Sequence, residues 1–133
     1  MVAGRYLLDT HTVLWTLYMP ERLPAAAREA ITNADELFVS IISPWEIAIK
    51  FSRGGFRDLP IPQNWDGSLI LELERQGYRL LAIQPAECRI VQDLPFHHKD
   101  PFDRMMIAQA MHHRLDLISA DEDMGRYGVK RIW

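Results

Sequence analysis

Apolar and polar positions alternate along this chain in short blocks whose period changes from block to block. Residues 5–9 form a short apolar run that ends on a charge, the pattern of a buried strand. Residues 11–19 follow as a helix that Pro20 stops, and residues 24–34 predict a second helix with Pro24 suited to its first turn. Residues 37–41 read as a strand, and Ser43-Pro44-Trp45-Glu46 opens a third helix that runs to Gly54-Gly55. After a connection with two prolines, Asn64 or Asp66 caps a helix that ends at Gly77. Residues 79–83 predict a strand and 85–94 a short helix; a long helix runs from Asp100 to about Arg114; residues 115–119 and 129–133 predict two last strands.

This alternation implies an α/β fold with a mostly parallel sheet covered by helices on both faces. No internal repeat, low-complexity tract or linker interrupts the 133 residues, so one domain is expected over 1–133. In open α/β sheets, ligands bind beyond the carboxyl ends of the strands, where the strand order reverses. Functional groups are therefore expected just after strands and at the starts of the helices that follow.

Composition narrows the class without naming a chemistry. Hydrophobic residues make up 48% and charged residues 25%, an ordinary globular balance. The lone cysteine, Cys88, has no partner for a bridge, suits a reducing compartment and is read as a small core residue. The apolar run near the N-terminus is too short for a signal peptide, and no stretch approaches the ~18 residues needed to span a membrane. A soluble, cytoplasmic protein is expected. The net charge of −3 argues against a passive phosphate binder, which would be basic. It leaves room for a nuclease whose carboxylates are neutralised by bound metal.

Four acids fall where the fold expects function. Asp9 ends the first strand, Asp121 lies two residues beyond the strand 115–119, and Glu46 and Asp103 each lie in the first turn of a helix. Each has a plainer alternative. Ser43-Pro44-Trp45-Glu46 and Asp100-Pro101-Phe102-Asp103 both read as capping boxes, in which the second acid merely holds a backbone N–H. Asp121-Glu122-Asp123 alone reads as a solvated loop. Asp9 is harder to dismiss, because an acid on a central strand is desolvated and costly without a partner. Asp103 shares a face with Ile107 and Ala110 on a helix apolar around most of its circumference, so it faces something other than bulk water. If the four converge, two carboxylates ~4 Å apart repel by roughly 4 kcal/mol at an effective dielectric near 20. Protons or a cation must compensate, and all-oxygen ligation selects Mg²⁺ or Mn²⁺.

Two rival readings remain open at this point. A haloacid-dehalogenase-like phosphatase would use Asp9 as nucleophile, but His11 stands where its second aspartate belongs. A non-catalytic interaction module would make the acids caps and loop charges.

The run Leu7-Leu8-Asp9-Thr10-His11, the segments 43–50 and 97–110, and Leu117-Ile118-Ser119-Ala120-Asp121 together resemble PIN-domain proteins, above all the VapC-type toxins of toxin–antitoxin modules. The resemblance spans residues 5–133 in the expected order, and its most specific part is the segment from Asp100 to Ala110. It implies a three-layer α/β/α sandwich and a Mg²⁺- or Mn²⁺-dependent endoribonuclease. The family's acidic motif, which binds the metal and carries catalysis, falls on Asp9, Glu46, Asp103 and Asp121. Ser119, two residues before the last acid, would position an acid or a water, and Asp123 is the alternative to Asp121. Thr10 and Asp100 are further supporting candidates. The resemblance also implies an RNA substrate, a homodimer and a small VapB-like antitoxin partner. A non-toxin nuclease of the same fold, DNA-directed included, is the nearest alternative.

Around these acids, Lys50 and Arg53 read either as an ion pair with Glu46 or as a phosphate-steering patch. Arg104 reads as a structural salt bridge in preference to an RNA contact. The pairs His97-His98 and His112-His113 lack the spacing of a tetrahedral zinc site, since adjacent histidines point in different directions. They are assigned surface or capping roles. Trp15 and Trp45 are expected to pack in the core or at an interface, and Val13, Leu14, Leu17 and Tyr18 to offer an apolar surface for the antitoxin or a second copy.

Overall fold

The computed structural model describes residues 4–133, so the first three residues of the expected domain and of the N-terminal reading lie outside it. Strand β1 (Arg5–Leu8) is followed by α1 (Thr10–Tyr18), a 3-10 turn (Pro20–Arg22), α2 (Ala25–Thr32), β2 (Glu36–Ser40) and α3 (Ile42–Ser52). Then come α4 (Trp65–Arg75), β3 (Tyr78–Leu81), α5 (Pro85–Asp93), α6 (Pro101–His113) and β4 (Asp116–Ile118). A second 3-10 turn (Glu122–Tyr127) leads to β5 (Arg131–Ile132). Neither 3-10 turn is visible in the hydrophobic pattern.

All strand pairings are parallel, in the order β3-β2-β1-β4-β5. The two-residue period of a strand sends neighbours to opposite layers. Leu7, Phe38 and Leu117 face a core built with α5, α6 and Met124 of the second 3-10 turn. Leu8, Val39 and Ile118 face the other core, with Val13 and Leu14 of α1, Ala27 of α2, and Leu69 and Leu73 of α4. Helices therefore cover both faces, the three-layer sandwich expected. Met106, Ile107, Ala108, Gln109 and Ala110 are all buried on α6, which accounts for that helix being apolar on most sides.

Several expectations are corrected. Val13 and Leu14 are fully buried against the sheet and offer no surface; Leu17 and Tyr18 pack on the same core but stay partly exposed. Cys88 is exposed; its neighbour Glu87 is the buried one. Of the two tryptophans expected in the core or at an interface, Trp45 is not in the core: it is exposed and stands edge-on to Phe102, while Trp15 is half-buried beside Trp133. Helix α3 starts at Ile42 rather than after Ser43, and it has no side-chain cap; nor does Asn64 cap α4 through its side chain. The last strand is shorter than predicted because β4 offers it only Leu117 and Ile118.

The strand order reverses between β1 and β4, which pair in register from Tyr6↔Asp116 to Leu8↔Ile118. Residues immediately past both strands therefore meet at the switch point.

Candidate functional site

Asp9 stands one residue past β1 and begins α1. Its Oδ1 accepts from the Thr12 backbone N–H at 3.0 Å and from the Thr12 hydroxyl at 2.6 Å. Its Oδ2 accepts from the Ser119 hydroxyl at 2.5 Å. Ser119 is fully buried one residue past β4, and its oxygen in turn accepts the Asp121 backbone N–H at 3.0 Å. A chain of hydrogen bonds thus runs across the switch point from Asp9 to the Asp121 loop. Asp9 is nearly buried, and these donors are the reason an acid is tolerated there.

Glu46 caps nothing. Because α3 begins two residues early, Glu46 lies a full turn inside it, where it accepts from the Thr10 hydroxyl at 2.7 Å. Ser43, the expected cap, lies buried with its Oγ 3.0 Å from the same Thr10 oxygen. Thr10 therefore ties α1 to α3 and aims the Glu46 carboxylate.

On α6 the roles divide. Asp100 is the cap, its Oδ1 accepting from the Phe102 and Asp103 N–H groups at 2.8 and 3.2 Å. The reciprocal half of a capping box is missing, since the Asp100 N–H donates to His98 Nδ1 at 3.1 Å. Asp103 is left free to face the site. His98 Nδ1, as an acceptor, leaves the proton of the neutral ring on Nε2. That nitrogen lies 2.6 Å from Asp121 Oδ2 and 3.1 Å from Asp103 Oδ2. His98 is thus part of the acid cluster, not a surface histidine, and the sequence offered no spacing rule that would have found it.

Burial, and then the charges of Asp100 and Glu46, push Asp103 up to about 7, although His98 works against them. Burial also raises Glu46 above the usual carboxylate range; the Thr10 hydroxyl opposes this and the charges of Asp100 and Asp9 add to it. Burial pulls the His98 ring down, but the Asp121 hydrogen bond and the charges of Asp103 and Asp121 lift it above its ordinary value. Asp9, Glu46, Asp100 and Asp103 thus feel one another's charge, and His98 couples Asp103 to Asp121. A cluster of this kind is short of positive charge, and its donors are almost all oxygen, which fits a hard divalent cation.

The remaining candidates separate cleanly. Asp123 turns its carboxylate to Arg126 at 3.6 Å and gives the site only its N–H, which donates to Asp121 Oδ1 at 3.0 Å. Arg104 is buried and forms neither the salt bridge expected nor an accessible phosphate contact. Its guanidinium donates to the carbonyls of Val91, Leu94, Pro95 and His98 and lies 4.0 Å from the centre of the Phe96 ring. It moulds the loop that carries His98. Lys50 makes no ion pair with Glu46 among the described residues and lies over Phe56. With Arg53, His11 and Phe56 it lines both a 280 Å³ cleft reaching Glu46 and Asp100 and an adjoining 510 Å³ cavity that adds Arg22 and Arg57. A basic trough therefore leads away from the acids, within a chain whose net charge is negative.

The PIN domain family model matches residues 6–130. The chain belongs to the PIN-domain family. Ribonuclease VapC22 of Mycobacterium tuberculosis is 34% identical over 117 residues, 86% of this chain and 85% of that protein. Among solved structures, VapBC2 from Rickettsia felis, bound to a DNA fragment from its promoter, shares the fold with a TM-score of 0.66 at 12% identity, covering 95% of this chain and 96% of that one. VapBC-1 from nontypeable Haemophilus influenzae matches with a TM-score of 0.63 at 18% identity, covering 95% of each chain. PIN-domain membership sets aside the phosphatase reading. Asp9 agrees with this, since both its oxygens are held by hydroxyl or amide donors and His11 lies exposed beside Trp15 and Phe56.

Proposed function

We propose that this PIN-domain protein is a divalent-metal-dependent endoribonuclease and the toxin of a toxin–antitoxin pair. The observation that carries the chemistry is Asp103, held up to about 7 by burial and by Asp100 and Glu46. Such a carboxylate becomes a ready anion only when a cation offsets its neighbours. Asp9, Glu46, Asp103 and Asp121 are the residues that would hold Mg²⁺ or Mn²⁺. A divalent ion there would supply Lewis acidity toward a phosphate oxygen and make an attacking water more acidic.

The protein's own groups do the positioning. Ser119 and Thr12 fix Asp9, Thr10 and Ser43 fix Glu46, and the Asp100 cap sets the pitch of α6 and so the direction of Asp103. His98 holds Asp103 and Asp121 toward each other. The Lys50–Arg53–Arg57 trough would carry the flanking phosphates of the strand. RNA is favoured as substrate by the relative named as a ribonuclease, and a VapB-like antitoxin by the VapBC complexes of the same fold. A homodimer and a cytoplasmic location are part of the same proposal; no helix among the described residues is long and apolar enough to cross a membrane.

The test uses antitoxin-free protein with structured RNAs, with Mg²⁺, with Mn²⁺ and with EDTA, beside Asp9→Asn. Cleavage should need metal and vanish in the variant. Cleavage that survives both EDTA and the substitution refutes the proposal.

A further inference from the structure

At the other end of α6, away from the acid cluster, lies a second set of ligand-type side chains. Glu87 of α5 is fully buried. Its Oε1 accepts the Gln84 N–H at 2.9 Å, completing a capping box at the start of α5. Its Oε2 receives two imidazoles at once, His112 Nδ1 at 2.8 Å and His113 Nε2 at 2.9 Å. Adjacent helical residues diverge by about 100°, which is why sequence spacing argued against a shared ligand. The divergence is undone because His112 presents its near nitrogen and His113 its far one.

The geometry points to a second divalent-metal site formed by Glu87, His112 and His113, selective for an imidazole-binding ion such as Zn²⁺, Ni²⁺ or Co²⁺. Four observations carry it. The three ligand atoms lie within 4.8 Å of one another. Both imidazole nitrogens already meet the same carboxylate oxygen, at 2.8 and 2.9 Å, and need open only to the roughly 3.3 Å that tetrahedral bonds of about 2.0–2.1 Å require. The carboxylate is desolvated and pre-aimed by its backbone bond, so little ordering remains on binding. Finally, the His112 and His113 side chains are 32% and 24% exposed, which gives an ion an entry path and leaves outer positions to water. Binding requires each ring to keep its proton on the other nitrogen, a shift of tautomer that partly exposed rings can make.

Two imidazoles with one carboxylate suit borderline ions, whereas the nearly all-oxygen cluster near Asp103 suits Mg²⁺ or Mn²⁺. The nine residues from Asp103 to His112 rise about 13 Å along the helix, so the two sites are separate. The proposal does not rest on the nuclease reading. Its effect is to pin α5 to the last turn of α6.

The test is a Co²⁺ and Zn²⁺ titration of the full chain in the presence of excess Mg²⁺, beside His112→Gln/His113→Gln. The wild type should take up one more equivalent than the double variant, bind it at least 10-fold more tightly, and show a Co²⁺ visible band that the variant lacks. Should the variant fold poorly, the ring-proton resonances of His112 and His113 in the wild type answer directly: they should shift with the first equivalent of Zn²⁺. Equal stoichiometry in folded wild type and variant, or unshifted His112 and His113 resonances at saturation, overturns the proposal.

Discussion

Asp103→Asn should stabilise the metal-free protein. Asp103 titrates near 3.8 in the unfolded chain and is pushed up to about 7 in the fold. Below 3.8 both states hold the proton and nothing is lost. Between 3.8 and about 7 the unfolded state ionises first, so stability falls as pH rises; above 7 the cost is complete. At about 1.36 kcal/mol per unit, that cost is on the order of 4 kcal/mol at pH 8. Asparagine removes the charge but leaves a desolvated amide and loses the anion facing His98, so a net gain of about 2 kcal/mol is expected. For a domain of this size that is roughly 8 °C in Tm. The assay is urea unfolding at pH 8 in EDTA, repeated at pH 5.5, and again with 5 mM Mn²⁺. The variant should lead at pH 8 in EDTA, its lead should shrink at pH 5.5, and Mn²⁺ should raise only the wild type. A variant less stable than wild type at pH 8, with the m-value unchanged, would refute the account of the cluster as an excess of buried negative charge.

Ser119→Ala, which strips Asp9 Oδ2 of its hydroxyl donor, should lower metal affinity and cleavage about 10- to 100-fold while the fold survives, measured by calorimetry and single-turnover cleavage. Replacing Arg104 with Met should cost about 3–5 kcal/mol in urea unfolding, because four carbonyls, from the end of α5 and the loop after it, lose their donor; Lys should restore little, lacking the planar fork. Glu87 is buried, which alone would raise it, but the His112 hydrogen bond, the Gln84 N–H and the His113 charge hold it below the usual carboxylate range. Its contribution to stability should therefore be present above pH 4.5 and be lost as pH falls through the lowered value, a loss that Glu87→Gln should remove from the acid-unfolding curve. Charge reversal at Arg53 and Arg57 should raise KM for RNA and flatten its salt dependence with kcat little changed.

The layers of the fold were legible because strand alternation is a local property. Pairs such as Leu7-Leu8 and Leu117-Ile118 declare two covered faces without reference to any other part of the chain. The positions of the four acids, at strand ends and helix starts, were legible for the same reason. What each acid does was not. Ser-Pro-Trp-Glu spells a capping box, and only the two-residue shift in the start of α3, together with a hydroxyl on α1, moves Glu46 from backbone to site. His98 joins the cluster through Asp121, 23 residues away, and Glu87 is buried while Cys88 is exposed because α5 turns toward two histidines on α6. An apolar stripe likewise does not say who covers it. Val13 and Leu14, expected to await a partner, are covered by the sheet of their own chain.

The contact between Ser119 and Asp9 closes a loop of 110 residues, and β1 lies at the middle of the sheet with β4 as its late-arriving neighbour. During synthesis, Asp9 leaves the ribosome long before the residue that orients it, and β2 and β3 can pair with β1 while one flank stays open. A chain interrupted before residue 119 has three of the four acids, Asp9, Glu46 and Asp103, and much of the sheet, but neither the hydroxyl on Asp9 nor the Asp121 loop. The orientation of Asp9 thus waits on a hydroxyl translated 110 residues after it, and the proposed site is put together only once β4 has paired with β1.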